Sequence, residues 1–314
     1  MKKLAALLSF FITICFITIP AHADCREYYS RSERVVCVDV VTKGCDGTSL
    51  SSKCKSKGCN KCESSVSALA LNKNSKLVSE DKTYESNKNF RCNGHVKYGI
   101  PGLESQFLCR EGYAVGYDYD RKIPTWVAYC LTPDNVNKNF KRSNKFESDV
   151  EIPVKYRSTL SDYKGSGYDR GHMAASATVD SSYNAMVESF LLSNITPQLP
   201  GLNRQGWRYL ESYIREWTNE RKKLYVVTGV LFEGAHGVIG NGLHVPTHFY
   251  KVVFDSAGMD TIAFIIPHRV IPKSELPAFI VSVDEVELRS GLDFNNLLDD
   301  PLEDYIEADV ESMW

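Results

Sequence analysis

The spacing of apolar residues changes character several times along the chain. Lys2 and Lys3 precede a largely apolar run from Leu4 to Ile19, and Ala21-His22-Ala23 then sets small residues at the two positions a signal peptidase reads. The run is shorter than the ~20 residues a helix needs to cross a bilayer. It therefore predicts a cleaved leader, residues 1–23, with no stable membrane anchor and an exported, periplasmic or secreted product. Aromatic and β-branched residues alternate over Tyr113 to Tyr117 and over Thr125 to Leu131, which predicts strands. From Ser143 to Tyr168 the chain is polar and rich in turn formers, a long loop that delivers it to Asp169. After Pro200 the apolar residues Trp207, Leu210, Ile214 and Trp217 recur at intervals of three and four, one stripe along a helix. Strand patterns return at Leu224 to Val230, Phe249 to Phe254 and Thr261 to Ile266. Strands on either side of one clear helix predict an α+β fold with a mixed or antiparallel sheet. Trp126, Trp207 and Trp217 fall at strand or helix spacing and read as core residues.

Composition alters this picture at both ends. Six cysteines lie between Cys25 and Cys62, with few large aliphatic residues outside Val35 to Val41. So short a segment buries little core and needs cross-links. The pair Cys59 and Cys62 would suggest zinc in another compartment, but behind an export leader disulfides are the default. Six cysteines allow fifteen pairings, among which the sequence does not choose. Residues 24–62 are thus expected to form a cysteine-rich disulfide-bonded segment, residues 63–91 a Ser-, Lys- and Asn-rich linker, and residues 92–314 the main domain. Without the leader nine cysteines remain, an odd number that leaves one thiol free, intermolecular or ligated. The same chain holds 35 basic and 39 acidic residues, a net of −4 (35 minus 39). Overall basicity is excluded as a grip on nucleic acid, so any such site is a local patch. Eleven of the carboxylates, against Arg289 alone, fall in the tail from Asp284 to Trp314, expected to be a solvated surface segment.

Chemistry concentrates in the tetrapeptide Asp169-Arg170-Gly171-His172, followed by Asn194-Ile195-Thr196-Pro197-Gln198, by Asn203 and by Leu210-Glu211 on the expected helix. This series resembles the DNA/RNA non-specific endonucleases, a family with a ββα-metal active site. Thr125-Trp126-Val127-Ala128-Tyr129, Tyr225 to Gly229, Val245-Pro246-Thr247 and Tyr250-Lys251-Val252 extend the resemblance, which covers about residues 95–295 and leaves the cysteine-rich head outside. It implies a ββα-metal nuclease domain with a metal-bearing helix. It also implies an endonuclease that hydrolyses phosphodiester bonds of DNA and RNA without sequence preference, with Mg2+ as cofactor and Mn2+ as a substitute.

Phosphodiester hydrolysis needs a base for water and cations for the phosphate, and the residue types present fit those roles. His172 is the candidate base, since an imidazole is largely neutral at neutral pH. Arg170 offers paired donors to phosphate oxygens. By resemblance Asn203 is the direct metal ligand, a role its amide oxygen suits, although asparagine is also a common helix N-cap. Glu211, eight residues on, would stand ~12 Å further along an unbroken helix, so it is expected to reach the metal through water, or else to pair with Arg215 at i+4. Arg215 is a weaker phosphate contact. The family's upstream arginine falls on Arg142 or, in another register, Lys145. Asn194 is expected to position the loop or His172, Asp169 to orient the motif's backbone, and Gly171 to permit a tight turn or a close approach. His236, His244 and His248 lie in a glycine-rich stretch with no carboxylate or cysteine to complete a zinc site. Two other classes stay open: a nucleic-acid-binding or uptake protein on a nuclease scaffold, with the head as its working part, and a phosphodiesterase for small substrates. The His172, Asn203 and Glu211 set speaks against the first, because a binder needs no base beside a metal.

Overall fold

The alternation of side chains along β11 (His248–Asp255) sets the plan of the fold. Phe249 and Val253 face a core shared with the long helix, while Tyr250, Val252 and Phe254 face the opposite side. The computed structural model describes residues 92–137, 140–310 and 312–314, together with two short paired strands upstream, β1 (Thr42–Lys43) and β2 (Ser49–Leu50). The leader, the pairing of the head cysteines and the linker lie outside the described residues. The chain divides into Met1–Ser79 and Glu80–Trp314, and the second unit holds everything that follows.

Its sheet has seven strands in the order β13 (Ile280–Val281), β12 (Asp260–Pro267), β11, β8 (Leu224–Leu231), β5 (Ile123–Leu131), β4 (Ala114–Asp118) and β3 (Gln106–Cys109). Every pairing is antiparallel, so of the two expected sheet types the antiparallel one is found. The edge strands β3 and β13 are short and carry no alternation that sequence reading detects. On one face Val127, Tyr129, Val226, Val253 and Phe264 pack against Trp207, Leu210, Ile214 and Trp217 of the helical stripe. On the other, Tyr250, Val252 and Ile265 meet Val283 and Val286 of the helix Val283–Ser290, and Tyr225 and Phe254 meet Ile306 of the helix Asp300–Ala308. The acidic tail is therefore not a solvated segment. Its apolar residues cover the second face of the sheet and take Glu303 and Glu307 into the interior with them.

Cys92 and Cys109 form a disulfide that ties the start of this unit to β3, and Cys130 on β5 carries a free thiol. Between β5 and β8, which pair from Trp126↔Gly229 to Leu131↔Leu224, the chain leaves the sheet for residues 132–223. This excursion contains a separate two-stranded antiparallel ribbon, β6 (Asp169–His172) and β7 (Ile195–Gln198). It also contains the long helix Arg208–Arg221, entered through a π-helical turn, Leu202–Trp207. The polar stretch from Ser143 to Tyr168 is irregular apart from the turns Val154–Tyr156 and Leu160–Tyr163.

Candidate active site

The Asp-Arg-Gly-His motif is an extended strand, not a turn, with Gly171 opposite Thr196 and His172 opposite Ile195. Glycine is required there by close approach: a Cβ on Gly171 would lie 2.4 Å from Oε1 of Gln198 and 2.7 Å from its Cβ. His172 is buried, and its ring forms a three-ring cluster with Phe146 (centroids 5.3 Å apart) and Phe190 (5.0 Å), which also meet each other at 5.0 Å. Its Nε2 has no hydrogen-bond partner, and Trp207 Nε1 donates to its carbonyl at 3.4 Å. Burial, with the positive charges of Arg142 and Arg170 adding to it, pushes the imidazole down to about 3, so it is neutral at any pH near 7. Arg170 lies over the Phe146 ring at 4.3 Å and Arg142 over the Phe190 ring at 4.9 Å. Each guanidinium group is thus stacked on one of the two aromatic rings packed against the imidazole. Arg142 is further held by Ser176 Oγ (2.9 Å) and Asn144 Oδ1 (2.7 Å), and these contacts place it, rather than Lys145, at the site.

Asn203 is not a helix cap. It lies within the π-helical turn, its backbone N–H donating to Leu199 O at 2.9 Å. Its Nδ2 donates to Asp169 Oδ2 at 2.9 Å, and Asp169 also accepts from Arg204 Nε (2.8 Å) and Nη2 (2.7 Å). Asp169 therefore orients the Asn203 side chain, not the motif's backbone. With the amide nitrogen committed, Oδ1 is the donor left to a cation. Burial raises the Asp169 carboxyl, but the bonds from Arg204 and Asn203 outweigh it and hold the group below its ordinary range.

Glu211, in the first turn of the long helix, is half-buried. Desolvation pushes its carboxyl up, against the pull of Lys251, Arg215 and Arg142. The alternative for Glu211, a direct pair with Arg215, is not made: Arg215 donates to Thr178 Oγ1 (3.3 Å) and Ser212 Oγ (2.9 Å), which hold its guanidinium as Ser176 and Asn144 hold that of Arg142. Asn194 does not act on the imidazole either. It accepts from Ala174 N (2.9 Å) and donates to the carbonyls of Ala174 (2.9 Å) and Ser189 (2.8 Å), fixing the chain just beyond His172. Among the histidines set aside above, His236 Nε2 and His244 Nδ1 are 2.9 Å apart, whereas His248 belongs to β11 and not to a loop. Sequence reading missed Phe146, Phe190 and Lys251. The one available signal was a lysine at an inward position of an apolar strand, between Phe249 and Val253.

Comparison with known proteins gives this geometry a family. A model of the DNA/RNA non-specific endonucleases matches residues 92–301. The chain belongs to that family. It is 38% identical over 222 residues to Nuclease C1 of Cunninghamella echinulata var. echinulata, covering 65% of this chain and 88% of that one. It is 37% identical over 215 residues to human mitochondrial endonuclease G, covering 63% and 72%. A solved chain from the EndoG/EndoGI complex superposes with a TM-score of 0.63 at 35% identity, covering 67% of this chain and 93% of that one.

As a member of the non-specific endonuclease family, the protein is a metal-dependent endonuclease that acts on nucleic acids. The residues present fit a divalent metal: the oriented amide oxygen of Asn203 is a hard oxygen donor that could bind it directly, and the Glu211 carboxylate is a second that could reach it through water. Among the described residues no helix is long and apolar enough to cross a membrane.

Proposed function

We propose that this endonuclease cleaves phosphodiester bonds of both DNA and RNA without sequence preference, using Mg2+, with His172 as the general base, and that it does so after export. The observation that carries the reading is the neutral His172 imidazole packed against Phe146 and Phe190, the two rings on which the guanidinium groups of Arg170 and Arg142 lie. A phosphate held by those two cations lies beside a base that has no proton to lose before it acts. His172 takes a proton from the attacking water, and Arg170 with Arg142 offsets charge on the phosphate oxygens. Asn203 and Glu211 would hold Mg2+, which when bound supplies charge neutralisation at the phosphate and the departing oxygen. Contacts to the sugar-phosphate backbone carry no base information, which supports low specificity. The leader-like N-terminus and the Cys92–Cys109 disulfide support an oxidising destination.

The test is incubation of the purified protein with supercoiled plasmid and with RNA, with Mg2+ or with chelator. Both substrates should be degraded with Mg2+, from many unrelated positions, and neither with chelator. Intact RNA beside degraded plasmid, cleavage in chelator, or a fixed recognition sequence would each overturn the reading.

A further inference from the structure

Lys251 is fully buried at an inward position in the middle of β11, opposite Thr228 of β8 and Phe264 of β12. Burying an ammonium group is costly unless something compensates it. Its Nζ donates to Thr228 Oγ1 at 2.7 Å and to Tyr129 OH at 3.2 Å, and it lies 4.5 Å over the ring of Trp207. These contacts fill the space but supply no negative charge. Lys251 and Glu211 make no direct ion pair, and the Glu211 carboxylate acts on the ammonium through its field alone. Trp207 and Glu211 are four residues apart on one helical run, so the turn that presses Trp207 onto Lys251 also brings Glu211 over the same stretch of sheet. A methionine would pack in this position without any desolvation cost, so what lysine adds is its charge. Arg142 and Arg215 also act on Glu211, but both are partly solvated, whereas Lys251 is locked in the sheet.

We propose that Lys251 is a positioning residue of the metal site: its buried ammonium is the fixed counter-charge that holds the Glu211 carboxylate in place toward the cation. The proposal rests on the reading of Asn203 and Glu211 as the metal-holding pair. It accounts for a charged residue in the core and links the sheet to the metal helix by electrostatics as well as by packing.

The test is a cycle of Lys251→Met, Glu211→Gln and the double variant in the full chain, read by thermal unfolding without metal and by calorimetric binding of Mn2+. Lys251→Met should melt below the double variant, because it removes one partner and leaves Glu211 without its counter-charge. It should bind Mn2+ about tenfold more weakly, the usual scale for losing a residue that orients a ligand. In the Glu211→Gln background the same substitution should change Mn2+ affinity by less than about twofold, since its partner is already gone. Wild-type affinity in Lys251→Met, or an equal loss in both backgrounds, overturns the proposal and leaves the nuclease reading standing. A wild-type chain that binds no Mn2+ removes both. If Lys251→Met alone fails to fold, the double variant should fold, because no buried charge is left unmatched; a double variant that also fails overturns the proposal.

Discussion

His172 combines a position beside two cations with an unprotonated ring, and its burial is the main reason the ring carries no proton. An unperturbed imidazole is half charged near pH ~6.5. Desolvation first, and then Arg142 and Arg170, bring His172 to about 3. Between those two values the unfolded chain holds a proton on this residue and the folded chain does not. The unfolded state therefore binds more protons in that window, and stability falls as pH drops through it. Replacing His172 with glutamine should remove this dependence: the loss of urea midpoint between pH 7 and pH 4.5 should be smaller in the variant than in the wild type. His95, His244, His248 and His268 shift in the same direction in both chains and form a common background. The same variant should lose ~10² to 10⁴-fold in turnover, the range of a positioned base. An unchanged pH slope would show that His172 is not held neutral by the fold.

At the scale of elements, the ribbon β6–β7 brings the motif and the helix entrance together, and Gly171 is where it tolerates least. Alanine there would collide with Gln198 Oε1 and Cβ, and a clash with a Cβ is not relieved by rotating a side-chain end. Gly171→Ala should destabilise the chain by about 1–3 kcal/mol and depress turnover as His172 shifts with its strand; an unaltered melting curve would show that the ribbon yields. Neither the ribbon nor its pairing was legible in the sequence, because Asp-Arg-Gly-His has no alternation and its partner lies more than twenty residues away. The central strands and the helical stripe were legible, since burial on a sheet or against it imposes a period. The π-helical turn was not, because a wider turn leaves no period over so few residues. His172, Arg170 and Asn203 could be found from the motif and its downstream matches. Arg142 stayed ambiguous with Lys145 because its ties, to Ser176 and Phe190, join residues distant in sequence. Composition misled at the tail, where many carboxylates suggested solvation while Val283, Val286 and Ile306 decided the outcome.

For the whole molecule, every residue assigned to the site lies between Arg142 and Lys251, inside the unit that begins at Glu80. A chain starting near residue 86 keeps Cys92 with Cys109 and all seven strands of the main sheet, so it should fold and cleave plasmid with Mg2+ at close to the full-length rate. A soluble, folded fragment without activity would show that the N-terminal segment takes part in the chemistry. The excursion from β5 to β8 has one more consequence, for the cell that makes the protein. A ribosome emits Arg142, Arg170, His172, Asn203 and Glu211 before it has made β8, β11 or β12, whose Val226, Val253 and Phe264 share a core with the apolar stripe of the helix that carries Glu211. A nascent chain paused at that stage holds all five groups while the helix that carries Glu211 still lacks the strands it packs against, so the site is completed only by the C-terminal third of the chain.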